Sequence, residues 1–182
     1  MATGEVRSNC CLGVPIDFYM LRCTAATQDG HIEAAVQRLW EAIRKPGERA
    51  WHPRHKIMVL AEFRDRLRVA VEGRLKPVTH IKAVGEGRCH LYEIRWQDVN
   101  VALLGPDGKV SGHDHVHMRL VHTEPHQLGL SFVGLHAHEK VVLEGSETHA
   151  AQDREIDEAE RLFNLGYPTL WGISRRQNLR DP

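Results

Sequence analysis

Apolar and polar positions alternate most regularly in the second half of the chain, where the pattern predicts three strands. Residues 89–97 and 116–122 each carry apolar side chains at every second position, and residues 128–137 are apolar on both alternations. Successive side chains of a strand point to opposite faces, so the first two segments predict strands with one apolar and one polar face. The third predicts a central strand that is covered on both sides. The predicted inward side chains of the first two strands are Tyr92, Ile94, Trp96, Val116, Met118 and Leu120.

In strict alternation, Leu128, Leu130 and Phe132 share one face of the central strand, and Val133, Leu135 and Ala137 share the other.

Helical periodicity predicts three helices, over residues 30–44, 53–72 and 153–165. Asp29 is the expected N-cap of the first, and a strand over residues 16–24 precedes it. The remaining stretches, including 105–114 and 141–152, are expected to be turns and loops. The order is therefore strand, two helices, three antiparallel strands and a helix. It predicts an α+β fold whose antiparallel sheet has one face for the helices and one open polar face.

Length and composition favour a single domain. The chain has 182 residues, of which 42% are hydrophobic and 26% charged. We expect a folded unit over residues 15–166, with flexible tails at 1–14 and 167–182. No apolar run approaches the roughly 20 residues that span a bilayer, and the first residues show no secretion signal. The four cysteines show no paired spacing, which predicts a reduced, cytoplasmic protein with no membrane partner.

The candidate chemistry lies on the outward positions of the three strands. The polar side chains there are Glu93, Arg95, His117, Arg119, His136, His138 and Lys140. Arginine forks bind phosphate oxygens, and histidines accept or donate protons near neutral pH. A purely structural interpretation is equally open, in which Glu93 and Arg95 pair across the sheet with Arg119 and a neighbour, and the histidines are solvated or bonded to a loop. Equal numbers of acidic and basic residues, 24 each, argue against nucleic-acid binding through global charge but leave local patches possible.

Thirteen histidines raise the alternative of a histidine-rich metal-binding protein. His113, His115 and His117 alternate and share one face of an extended chain, and His136 and His138 offer two more imidazoles. No carboxylate stands at a recognised ligand spacing, so the sequence predicts neither a metal nor another cofactor.

Five short segments, taken in order, resemble the RelE/ParE toxin superfamily and its phage-derived, HigB-like branch. They are residues 80–82 (HIK), 91–95 (LYEIR), 118–120 (MRL), 135–140 (LHAHEK) and 155–161 (EIDEAER). The chain differs from the usual pattern in its insertion around 105–114, its neutral charge, its single lysine at Lys140 and the histidine at His138.

The resemblance implies a RelE-like fold and, in its ribonuclease branch, a toxin that cleaves mRNA in the ribosomal A site without a metal. It implies catalytic roles for Arg95, Arg119, His136 and His138, and substrate binding by Glu93, His117 and Lys140. The implied partner is an antitoxin, expected to be of the helix-turn-helix type. The alternative implied by the same resemblance is a non-catalytic interaction protein of phage origin.

Overall fold

A computed structural model describes residues 8–77, 79–84, 91–140 and 147–173, without the side chains of 147–151. Its strands are β1 (Asp17–Met20), β2 (Arg49–Ala50), β3 (Ile81–Val84), β4 (Leu91–Leu104), β5 (Val110–Thr123) and β6 (Ser131–Lys140). Its helices are α1 (Gln28–Ile43), α2 (Pro53–Val71) and α3 (Glu147–Gly166). Short 3-10 turns lie at Asn9–Cys11, His126–Leu128 and Tyr167–Gly172. None of the helices in the described ranges is long and apolar enough to cross a membrane.

The strands form one mixed six-stranded sheet in the order β1-β6-β5-β4-β2, with β3 also paired to β4. Strands β4, β5 and β6 are antiparallel neighbours, as predicted. The expectation of an antiparallel sheet throughout is wrong at one edge, because β1 runs parallel to β6. The crossover from β1 to β6 passes through most of the chain, and local alternation carries no information about such distant pairing.

Each face of the sheet is packed against helices. Helices α1 and α2 share a large core with inward side chains of β4 and β5, including Tyr92, Ile94, Met118 and Leu120. This orientation confirms the predicted inward positions. Helix α3 packs against the opposite face, where Ala159 and Leu162 join a second cluster of apolar strand residues. The polar face is therefore not open over its whole area, which corrects the sequence prediction.

A β-bulge in β6 decides which way its histidines point. Val121 of β5 pairs with His136, and the next residue, His122, pairs with Gly134, so Leu135 is an extra residue in β6. A bulge of this kind shifts the alternation by one position. Ala137 consequently packs against the α1/α2 core and not beside Leu135 as strict alternation predicted. His136 and His138 move to the α3 face.

Several element boundaries also differ from the prediction. The expected flexible tail is ordered from Ser8, and Cys10 is fully buried; residues 1–7 lie outside the described residues. Strand β5 begins at Val110, inside the expected loop, and α3 begins at Glu147. The 3-10 turn after α3 holds Trp171, which packs against the second core cluster, so the first part of the expected C-terminal tail is packed on the domain; residues 174–182 lie outside the described residues. The N-cap of α1 is Thr27, whose side chain accepts a hydrogen bond from the Gly30 amide.

Candidate functional site

The three central strands bring the predicted polar residues into two adjacent rows on the α3 face. Arg95, Arg119 and His138 are directly paired across β4, β5 and β6. The neighbouring row contains Glu93 and His136, with Val121 between them. These five polar residues therefore share one face. Alternation predicted this for the residues of β4 and β5, and the bulge in β6 brings the two histidines to the same face.

Arg95 and Arg119 are occupied by protein groups. Arg95 Nε donates to Glu93 Oε1 at 2.7 Å, and Arg119 Nε lies 3.7 Å from Glu93 Oε2. The side chain of Arg119 is only 4% exposed, and its Nη1 donates to the carbonyl oxygens of Trp96 and Met118 at 3.2 and 2.8 Å. A guanidinium used in this way holds β4 and β5 together. The structural interpretation therefore describes Glu93, Arg95 and Arg119 better than the catalytic one does.

His138 is a buried, neutral imidazole. Burial lowers its pKa to about 4, and the positive charges of His136 and Arg119 act in the same direction while the carboxylates of Glu155 and Glu93 oppose them. Its ring stacks on that of His136, with centroids 5.5 Å apart and planes inclined by 18°. A group that stays unprotonated at neutral pH is a poor general acid. Its contact instead fixes the plane of the His136 ring.

Among the titratable residues of the two rows, His136 is the most exposed one that has a partner to orient it. Its Nε2 lies 2.6 Å from Oε2 of Glu155 on α3, and the two side chains are 25% and 37% exposed. With Nε2 donating its proton to the carboxylate, Nδ1 carries the lone pair that can accept a proton. A histidine oriented by a carboxylate has the arrangement of a general base.

A cleft of about 320 Å³ adjoins His136. It lies where β1 ends, between α1 and α3, and is lined by two glutamates and by three arginines from separate segments, Arg22, Arg38 and Arg161. Arg38 and Arg161 pair with Glu41 and Glu158, and all four of these side chains are more than one third exposed. Exposed pairs of this kind contribute little stability, so an anionic ligand can displace the carboxylates.

His117 of β5 is paired with Lys140 of β6, two residues along from the Arg119–His138 pair and on the same face. Nδ1 of His117 accepts a hydrogen bond from the Asp98 amide at 3.3 Å, and His115 contacts the Asp98 carbonyl. The donor clusters that can hold a metal within the described ranges do not include His113, His115 or His117. Among the residues that the structure describes, His113, His115 and His117 therefore form no metal-like cluster.

Sequence reasoning missed the cleft arginines, Glu155 and a second cluster. Arg22 lies in the turn after β1, Arg38 in α1 and Arg161 in α3, and no local pattern links them. Glu155 was visible as the first residue of the EIDEAER segment, but only the packing of α3 against β6 brings it to His136. The second cluster, Cys10 with His122 and Glu124, joins residues more than 110 positions apart.

Comparison with known proteins gave no match among family models, curated proteins or solved structures. The chemistry of the site therefore rests on its own geometry.

Proposed function

We propose that this chain is a RelE-like toxin that cleaves RNA, with His136 as the general base and Glu155 as its orienting carboxylate. The observation that carries the proposal is the His136–Glu155 pair, 2.6 Å apart and partly exposed, beside a cleft with three arginines. The predicted order of one strand, two helices, three antiparallel strands and a helix recurs in the structure with two added short strands, β2 and β3, and this order also supports the RelE-like assignment.

The chemistry needs no metal. His136 takes the proton of an RNA 2′-hydroxyl, and the resulting oxygen attacks the adjacent phosphorus. The bond from phosphorus to the 5′-oxygen of the next nucleotide breaks, which leaves a 2′,3′-cyclic phosphate and a 5′-hydroxyl. Solvent at the open cleft supplies the proton for the leaving oxygen. Glu155 stabilises the imidazolium that forms during the attack.

The cleft arginines supply the positive charge that the transition state requires. Three arginines stand against two glutamates in the lining, and guanidinium forks match phosphate oxygens in geometry and charge. The cleft volume of about 320 Å³ lies at the lower end of the roughly 300–1,000 Å³ found for small-molecule sites. One nucleotide and its flanking phosphate, reached from the open side, suit such a site.

The other predicted site residues receive positioning roles in this proposal. Arg119, Glu93 and Arg95 hold the strands beneath the site, and His138 holds the His136 ring. Lys140 and His117 lie further along the same face, where they contact the RNA backbone. The proposed partners are ribosome-bound mRNA in the cytoplasm and a helix-turn-helix antitoxin that neutralises the toxin.

The test is controlled expression of the wild type and matched variants in a bacterium. We expect growth arrest with the wild type, and relief of arrest by His136→Ala and by Glu155→Gln at equal levels of folded protein. His113→Ala is the matched control, because His113 is exposed and belongs to no cluster, and it should arrest growth as the wild type does. Undiminished arrest by a folded His136→Ala variant would reject the proposed base and favour the non-catalytic interaction protein.

A second candidate is a metal-dependent site at the same place, favoured by the approach of His136, His138 and Glu155 donor atoms to within 4.8 Å of one another. Two ligands of one tetrahedral zinc are about 3.3 Å apart when both are nitrogen or oxygen. The observed 2.6 Å between His136 and Glu155 is instead the length of a hydrogen bond, which ranks this candidate second. Metal that copurifies with the wild type and is lost in His136→Ala would reverse the ranking.

A further inference from the structure

A second cluster of titratable side chains lies on the opposite face of the sheet, away from the proposed RNA site. Cys10, from the short N-terminal turn, meets His122 and Glu124 at the end of β5. Cys10 and His122 are 0% exposed, and the Glu124 side chain is 6% exposed. His122 faces the α1/α2 core, where its ring stacks on Tyr92.

The distances in this cluster match those around a zinc ion. A tetrahedral zinc with bonds of about 2.3 Å to sulfur and about 2.0–2.1 Å to nitrogen and oxygen separates its ligands by about 3.6 Å (S–N), 3.5 Å (S–O) and 3.3 Å (N–O). The corresponding distances are 3.9 Å from Cys10 Sγ to His122 Nε2, 3.8 Å from Cys10 Sγ to Glu124 Oε1, and 3.1 Å from His122 Nε2 to Glu124 Oε1. We propose that Cys10, His122 and Glu124 bind a structural zinc ion.

The two oxygens of Glu124 are placed for different tasks. Oε1 is the atom that faces both Cys10 and His122. Oε2 accepts a hydrogen bond from the Asn9 amide at 2.7 Å, so the carboxylate is held for binding through one oxygen. Ser8 Oγ donates to Oε1 at 2.5 Å, which is the length of a hydrogen bond, so Ser8 is an outer contact and a water fills the fourth position. Such outer contacts fix ligand orientation in metal sites.

Charge balance also favours a divalent ion here. The buried Glu124 carboxylate accepts hydrogen bonds from Ser8 Oγ and from the Asn9 amide, at 2.5 and 2.7 Å. Zinc displaces the thiol proton, and the 2+ ion with one thiolate, one carboxylate and a neutral imidazole gives a buried site without net charge.

His122 is held for this role by its neighbours. The ring of Tyr92 stacks on it at 5.6 Å, and the ring of Phe132 meets its edge at 5.2 Å. The ion would join segments 112 residues apart and fix the N-terminal turn to the sheet. It shares no residue with the His136 cleft, so the zinc site and the proposed RNA cleavage stand or fall separately.

The test uses the full chain without a polyhistidine tag, loaded with Zn²⁺ or Co²⁺ and dialysed. We expect one zinc per chain by elemental analysis, and a thiolate-to-cobalt charge-transfer band in the Co²⁺ form. Cys10→Ser and His122→Asn should reduce the zinc content to background, and Cys10→Ser should also abolish the cobalt band. Cys23→Ser, which alters a half-buried thiol in another part of the chain, and His136→Ala should retain both signals.

A second measurement keeps the test decisive if the ligand variants do not fold. Zn²⁺ should raise the melting temperature of the wild type and protect Cys10 from alkylation, as mapped by fragmentation of the labelled peptide. Absence of bound zinc and of the cobalt band in the wild type would overturn the proposal. Full zinc content in a folded Cys10→Ser variant, or protection of a cysteine other than Cys10, would overturn it equally.

Discussion

Replacement of Arg119 distinguishes a guanidinium that holds two strands together from one that acts on substrate. Its side chain is 4% exposed and donates to the backbone carbonyls of Trp96 and Met118. Hydrogen bonds from a charged group contribute roughly 1.5–3 kcal/mol each, and removal of one member of a buried ion pair costs roughly 3–5 kcal/mol. We expect Arg119→Ala to lower the free energy of unfolding by roughly 3–5 kcal/mol.

Equilibrium unfolding in urea measures this loss, with circular dichroism and tryptophan fluorescence as independent probes. In a chain of this length the melting temperature should fall by about 2–4 °C per kcal/mol, or roughly 6–20 °C in all. Arg119→Lys should recover only part of the loss, since one ammonium group lacks the guanidinium fork. Arg38→Ala is the matched control, because that side chain is 52% exposed and its removal should change stability by no more than about 0.5 kcal/mol.

An Arg119→Ala protein with wild-type unfolding free energy and lost RNA cleavage would contradict the structural role and restore Arg119 as a catalytic residue.

Two further predictions concern pH. Glu139 is partly buried beside Arg49, which donates to both of its carboxylate oxygens at 2.7 and 2.8 Å, and the Lys45 ammonium lies at 3.1 Å. Partial burial raises the pKa of Glu139, but these two cations lower it below 4.5 overall. The ionised Glu139 carboxylate contributes its full stabilisation above pH 4.5 and loses it as the pH falls through its lowered pKa. The difference in unfolding free energy between the wild type and Glu139→Gln should therefore narrow in acid. A difference that does not change with pH would contradict the ion pair. His138 should titrate near pH 4 by NMR, because burial lowers its pKa from 6.5 to about 4. The stability that depends on its neutral imidazole is present above pH 6.5 and is lost progressively as the pH falls to about 4. Titration near pH 6.5 would refute its burial.

The periodicity of β4 and β5 was sufficient to predict their inward and outward faces. Each strand follows simple alternation over the segment that forms the site, so Arg95 and Arg119 could be placed on one face from the sequence. Strand β6 could not be predicted in the same way, because a single extra residue at Leu135 reverses the faces beyond it. The positions of His136 and His138 depend on that bulge.

Contacts between distant segments were beyond the sequence pattern. Parallel pairing of β1 with β6 and the packing of α3 over the polar face both depend on tertiary contacts, and they determine which polar groups are buried. The N-terminal turn was expected to be part of a tail because its local composition resembles a loop. Cys10 and Cys11 beside the apolar residues that precede β1 were the available signal that this segment reaches the core.

The measurement that tests the central claim most directly is cleavage of a defined, ribosome-bound mRNA by the purified chain, with analysis of the product ends. The account predicts a 2′,3′-cyclic phosphate and a 5′-hydroxyl, no cleavage of the same RNA with one 2′-deoxy nucleotide at the cut, and a rate lower by roughly 10²–10⁴-fold in folded His136→Ala. Absence of wild-type cleavage, products with other ends, or an unchanged rate in His136→Ala would contradict it.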